Sequence, residues 1–272
     1  MPMLPLTIGA AINIEHLETY YDWLRERPRD LELQDFVDPA ILKDPEDAIS
    51  KAKQLLDGFE GRLGIHGPFK GFSLSADDPE IVEVAARRLT QGVAAAEALG
   101  ATQMVAHSPF TTWDYNNLDT RAGARARKLE QVHAVLSPAA ARAREAGVEI
   151  VIENIEDIAP ADRRTLAASF DGDVVKVSID TGHAHYAYGS TGAPPVDVFV
   201  RDAGAALAHV HLQDADGHAD RHWAIGRGTI RWHAVFEALA ELGGVPRLVL
   251  ELHDRSDIPE SMDWLSAQGL GR

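Results

Sequence analysis

Nine histidines and carboxylates, His66, His107, Glu153, Asp180, His183, His211, Asp220, His222 and Glu251, recur along the chain, most of them closing a short apolar run: LGIHG, MVAHS, IVIEN, VSIDTGH, AHVHLQD and LVLELHD. Ionisable groups are costly to bury unless they are paired or metal-bound. A series of strands that each end on one therefore restricts the fold severely. The pattern fits a closed barrel of parallel strands alternating with helices. Such a barrel leaves the last inward side chain of each strand at one rim, where the connecting loops build a site.

The remainder of the chain agrees with a single-domain α/β chain, a (β/α)8 TIM barrel over residues 1–272. Strands are predicted at Leu6–Ala11, Asp30–Gln34, Leu63–His66, Gln103–His107, Glu149–Glu153, Val175–Asp180, Leu207–Leu212 and Arg247–Glu251, with eight helical stretches between them. The clearest helix spans Pro79–Leu99, where Ile81, Ala85, Leu89 and Val93 share one stripe. Asp78 is placed to cap it, with Pro79 in the first turn, and Asp44-Pro45-Glu46-Asp47 repeats the device. Pro138 should divide or kink the helical segment 119–146, and Gly100 and Gly147 should end helices. The GSTGAPP run at 189–195 reads as a loop. An open doubly wound sheet is the alternative, but no strand is followed by GxGxxG or a Walker loop, and Gly226-Arg227-Gly228 matches a phosphate loop poorly.

Composition narrows the chemistry. There is no cysteine, so disulfides, thiolate ligands and a cysteine nucleophile are excluded. Any metal must be held by nitrogen and oxygen, which suits Zn²⁺, Mn²⁺, Fe²⁺, Co²⁺ or Mg²⁺. The 26 basic and 42 acidic residues give a formal charge of −16, which disfavours non-specific nucleic-acid binding. No apolar run approaches a membrane span, and the N-terminus lacks a basic leader segment, so a cytoplasmic location is expected.

A single histidine is usually a satisfied core or surface group, and His16, His133, His218 and His233 have that reading. The metal argument is collective: His66, His107, Glu153, Asp180, His211 and Glu251 each stand at the end of a separate predicted strand. Asp180-Thr-Gly-His183 places a carboxylate and an imidazole around a tight glycine turn. Asp220-Arg-His222 alternates the same two groups with the period of extended chain. His209 shares a strand face with His211 but lies deeper, as a core residue.

The sections VIEN, DTGH, HVHLQD, DRH…GRG and LVLEL occur in an order that resembles the xylose isomerase-like TIM barrels, over essentially the whole chain. That superfamily includes sugar isomerases and epimerases together with the endonuclease IV group of AP endonucleases. The first branch implies one divalent metal held by Glu153, Asp180, His211 and Glu251. The two glutamates would then exchange a proton at carbon, and His183 would orient substrate. Trp113, Tyr186 and Trp223 would offer faces for a sugar ring. The second branch implies up to three zinc ions, with His66, His107, His183, Asp220 and His222 completing the set for phosphodiester cleavage.

Charge favours the carbohydrate branch. The loops HGPFKGFSLSADDPE and HSPFTTWDYNNLD carry one lysine between them, and the basic run RAGARARK at 121–128 falls on a predicted helix. Arg221 and Arg227 either bind a phosphate or carboxylate of a small substrate or pair with neighbouring acids. The expectation is thus a metal-dependent isomerase or epimerase of a small sugar, sugar phosphate or sugar acid. Dehydration or retro-aldol cleavage would use the same enolate chemistry, and a barrel that binds sugar without turning it over is a further reading. Related barrels often pair, which leaves a homo-oligomer open.

Overall fold

Eight parallel strands close on themselves in sequence order, with the last hydrogen-bonded to the first. They are β1 (Gly9–Ile12), β2 (Leu31–Leu33), β3 (Leu63–His66), β4 (Gln103–His107), β5 (Glu149–Glu153), β6 (Val175–Asp180), β7 (Leu207–Leu212) and β8 (Arg247–Leu250). This computed structural model describes residues 4–272. The helices are α1 (Leu17–Arg25), α2 (Pro39–Lys43), α3 (Glu46–Leu55), α4 (Pro79–Leu99), α5 (Thr112–Tyr115), α6 (Ala124–Ala146), α7 (Pro160–Ala168), α8 (Thr181–Thr191), α9 (Val196–Ala203), α10 (Trp232–Ala240) and α11 (Ile258–Ala267). Among the described residues no helix is long and apolar enough to cross a membrane.

Strand register positions the site. His107 is the register partner of Glu153 across β4 and β5, and Asp180 is the partner of His211 across β6 and β7. Alternate residues of a strand face opposite ways, so partners at equal height enter the barrel mouth together. Around the barrel, α4 buries Ala85, Leu89, Val93 and Ala96, while α6 presents Val132, Val135, Leu136 and Ala139.

Several expectations need correction. The first strand begins at Gly9 rather than Leu6, whose only strand-like contact is a bridge to Gly271. The second is Leu31–Leu33, and the last stops at Leu250, leaving Glu251 just past its end. Eleven α-helices are present among the described residues instead of eight, because short helices occupy several loops. The helix α6 runs unbroken through Pro138. Ser137, Pro138 and Ala134 are exposed, so the carbonyl that Pro138 leaves unpaired lies on the wet face while the opposite face stays packed. The basic run at 121–128 is only partly helical, since α6 starts behind Gly123, which has φ 77°. Asp44 makes no side-chain cap for α3; the Asp-Pro cap belongs instead to Asp38, which accepts from the Ala40 amide at 2.8 Å. Gly189–Thr191 are the last turn of α8, so the loop there is confined to 192–195.

Candidate metal centre

Glu153, Asp180, His211 and Glu251 come together at the mouth, with one ligand atom of each within 4.8 Å of the others. They are 1%, 0%, 0% and 8% exposed. Glu153 Oε1 and Glu251 Oε2 each lie 3.3 Å from His211 Nδ1. Glu153 Oε2, Asp180 Oδ2 and His211 Nδ1 are buried without a hydrogen-bond partner. Orphaned polar atoms are expensive, and three converging in one pocket make a donor set that a divalent cation would satisfy. The carboxylate and imidazole ligands suit the metals expected from the sequence.

Imidazole orientation supports the same conclusion. His66, His183 and His222 each direct Nδ1 at a backbone carbonyl: Gly67 at 2.9 Å, Asn154 at 2.9 Å and Glu251 at 2.9 Å. A carbonyl can only accept, so Nδ1 carries the proton and Nε2 is turned to the pocket. His211 is reversed. Its Nε2 donates to Glu32 Oε1 at 3.0 Å, which frees Nδ1 for the mouth. A metal-ligating histidine usually donates its other ring nitrogen in this way. His107 Nε2 lies 3.3 Å from His66 Nε2, and both approach Glu153 Oε2 at 3.7 and 3.6 Å. His183 Nε2 is 3.4 Å from Asp220 Oδ2, and His222 Nε2 is 3.1 Å from Asp220 Oδ1. His222 is the one non-glycine residue with positive φ among the described residues, at 47°. Such strain persists where surrounding bonds over-determine it, often at functional sites.

Three residues that the sequence reading did not single out hold this arrangement. Glu32 is buried and also meets His209 Nε2 at 3.2 Å, while His209 Nδ1 pairs with Ser178 Oγ at 2.8 Å. Gln213 donates to Asp180 Oδ1 at 3.1 Å and to Asp220 Oδ1 at 3.0 Å, and accepts from the His222 amide at 2.8 Å. Asp214 receives the Gly226 amide at 2.8 Å and the Trp232 indole at 2.9 Å. The GRG stretch is therefore anchored to a carboxylate and is no phosphate loop. Thr181-Gly182-His183 form the first turn of α8 rather than a separate glycine turn, because Asp180 accepts the His183 amide at 2.7 Å and starts the helix at once.

Gly182 leaves room for the Gln213 side chain. A Cβ would stand 2.2 Å from the Gln213 carboxamide. Gly182→Ala is expected to displace Gln213, loosen Asp220 and His222, and cost about 1–3 kcal/mol in denaturant unfolding by overpacking. Unchanged stability together with unchanged metal affinity would contradict this account of Gln213.

Electrostatics in the pocket set imidazolium protons against a surplus of carboxylates. Burial opposes charge on His211, yet Glu251, Glu32 and Glu153 outweigh it and hold the imidazole well above its ordinary pKa. His183 behaves likewise beside Asp180, Asp220 and Glu153. Burial again opposes charge on His222, but Asp220 and Glu251 raise it to about 9. His107 has the opposite outcome, pushed down to about 3 chiefly by burial. Burial raises Asp180 to about 6. Protons on His211 and His183 thus balance the carboxylates at neutral pH. A dication bound to His211 Nδ1 must displace the proton there, so metal affinity should increase as pH rises through neutrality. Titration calorimetry in buffers of different ionisation enthalpy reads the released protons; heats independent of the buffer would contradict this.

The remaining candidates lie elsewhere. The pocket, about 400 Å³, is lined by His66, His107, Glu153, His183, Asp220, His222 and Glu251 with Asn13, Gln34, Phe69 and Ile155. Trp113, Tyr186, Arg221, Trp223 and Arg227 are not among its lining residues. Trp113 is 75% exposed on α5. Arg227 is engaged by Asp257 at 2.8 Å and by Glu260. Arg221 pairs with Asp216 at 2.9 Å and lies over the Trp223 ring. Both arginines therefore follow the ion-pair alternative in this structure.

Comparison with known proteins agrees with this architecture. A family profile described as the xylose isomerase-like TIM barrel matches residues 31–268. A D-psicose 3-epimerase of Ruminiclostridium cellulolyticum is 27% identical over 68% of this chain and 61% of its own. An uncharacterised protein of Methanocaldococcus jannaschii is 24% identical over 70% of this chain and 64% of its own. The chain thus spans somewhat less than two thirds of these curated relatives. Among solved structures, a D-tagatose 3-epimerase-like protein superposes with a TM-score of 0.76 at 21% identity, covering 96% of both chains. A Thermus thermophilus protein soaked with zinc chloride has a TM-score of 0.72 at 25% identity, covering 96% of this chain and 97% of that one.

Proposed function

Because the chain belongs to the xylose isomerase-like TIM barrel family, we propose that it is a divalent-metal-dependent isomerase or epimerase of a small sugar, sugar phosphate or sugar acid. The observation that carries this reading is the pair Glu153 and Glu251. They enter one pocket from β5 and the end of β8, each 3.3 Å from the same imidazole nitrogen. A divalent cation held by Glu153, Asp180, His211 and Glu251 would polarise adjacent substrate oxygens and acidify the C–H bond between them. One glutamate then accepts the proton from carbon while the other, protonated, returns one. His183, with Nε2 turned inward, orients a hydroxyl, assisted by Asp220. The pocket volume suits a small polyhydroxylated ligand. The relative named as a D-psicose 3-epimerase supports a ketose substrate, and the zinc-soaked neighbour supports a metal site.

A second reading, phosphodiester cleavage at several cations, draws on the further groups His66–His107–Glu153 and His183–Asp220–His222, each tight enough to hold an ion. No lysine or arginine is among the residues lining the pocket, which weighs against a polyanionic substrate. Metal-loaded protein incubated in D₂O with D-psicose, D-tagatose and their phosphates should introduce deuterium at carbon. Absence of exchange across the panel together with cleavage of an abasic duplex would replace the proposal by the second reading. Sugar binding that survives loss of metal and of both glutamates would indicate a non-catalytic barrel.

A further inference from the structure

Beside the metal pocket lies a second, half-open pocket of about 130 Å³, bounded by the loops after β3, β4 and β5 and sharing Phe69, His107 and Ile155 with it. Phe72, Leu74 and Phe110 continue its apolar wall. Phe69 lies flat on the His107 ring, with centroids 4.0 Å apart, where the two spaces meet.

Polar residues also line this side pocket, and several have an oxygen already engaged by a neighbouring group. Ser73 Oγ accepts the Ser75 amide at 3.2 Å, and Ser108 Oγ donates to Asp157 at 3.1 Å. Thr111 Oγ1 donates to Asp114 at 2.9 Å while capping α5. Glu156 Oε2 is taken by the Thr112 amide and hydroxyl at 2.7 and 2.8 Å. A sugar hydroxyl placed here would lose its water and find few free partners, whereas a hydrocarbon group would lose nothing. The volume of the side pocket approaches that of the roughly 150 Å³ enclosed cavity that holds benzene in an engineered protein, but this pocket is open to solvent on one side, where Ser73 and Thr111 are exposed.

Resting on the metal-dependent carbonyl chemistry proposed above, we infer that the substrate carries an apolar substituent, of about the size of a short alkyl chain or one aromatic ring, on the end that reaches past His107. The polyhydroxylated part occupies the metal pocket, and Phe69, Phe72, Phe110, Leu74 and Ile155 receive the substituent. Within that reading the preferred substrate is then a deoxygenated, alkylated or aryl-bearing sugar derivative, and free ketoses, which leave this side pocket unfilled, are turned over less well; the Glu156 carboxylate on its wall disfavours an anionic end.

One apolar probe and a pair of metal chelators test the inference on the whole chain. Fluorobenzene, soaked into crystals and followed in solution by fluorine NMR, should occupy the space between Phe69, Phe72 and Phe110; its absence there would overturn the inference. Acetohydroxamic and phenylacetohydroxamic acids chelate metal alike but differ by the ring. The phenyl compound should bind the metal-loaded protein about tenfold to a hundredfold more tightly, from burial of its apolar surface. Phe72→Ala should remove most of that difference. Equal affinities for the two hydroxamates would overturn the substrate assignment while leaving the metal centre intact. Metal-independent hydroxamate binding with fluorobenzene still in the side pocket would sink the metal reading and retain the apolar subsite.

Discussion

Replacing Glu153 or Glu251 by glutamine is expected to reduce solvent exchange of the substrate C–H by about 10²–10⁴-fold at saturating metal, the usual contribution of a positioned acid or base. Glutamine keeps volume and one oxygen donor but cannot take the proton. Because both groups are also expected ligands, metal content must be measured on each variant. The informative comparison is between proteins loaded to the same stoichiometry. The two substitutions need not be equal. Burial opposes the charged form of Glu153, but His211, His183 and His66 hold its carboxyl well below the usual range. In the metal-free cluster, therefore, its charged state is strongly favoured. Either variant retaining exchange within tenfold of the parent, with metal bound, would contradict the proton-transfer role.

Glu32→Gln should weaken metal binding by about 10- to 100-fold, the typical cost of removing the partner that orients a ligating imidazole. Glu32 lies outside the expected ligand set, beneath it on β2, where its carboxylate accepts from Nε2 of His211 at 3.0 Å and lies 3.2 Å from Nε2 of His209. The neutral amide would no longer favour a proton on Nε2, so Nδ1 would lose its readiness to bind a cation. Competition against a chromogenic chelator measures the effect, with thermal unfolding of the metal-free protein as the control. An affinity within twofold of the parent would show that His211 needs no such orientation.

Much of the barrel is legible because its strands end on ionisable groups. The strands from β3 to β7 match their predicted bounds residue for residue. Each runs apolar into a histidine or carboxylate at or one residue before its end. At the N-terminus that marker is missing, since LPLTIG is apolar before the ladder begins, and periodicity alone starts β1 too early. Pro138 misleads because a proline on a wet helix face breaks one bond without unseating the packed face. The helix start at Asp180 resembles a turn, as its carboxylate serves both as cap and as pocket group.

Within the site, residues at strand ends can be recognised, and those that support them cannot. Glu32 stands in LEL, where a carboxylate between two leucines on a buried strand is itself the signal, but a three-residue strand gives little pattern to read. Gln213 and Asp214 act through geometry that only the closed loops create. Arg221 and Arg227 offer charge without location, and the acids that engage them, Asp216, Asp257 and Glu260, lie at sequence distances that periodicity does not reveal.

Anomalous diffraction at the manganese, iron, cobalt and zinc edges, on crystals of protein loaded with each metal, addresses the centre most directly. One ion is predicted between Glu153, Asp180, His211 and Glu251, bonded to His211 through Nδ1 at about 2.0–2.1 Å in the zinc form. Crystals that take up no ion there after loading, or that hold metal solely at the His183–Asp220–His222 group, would contradict it.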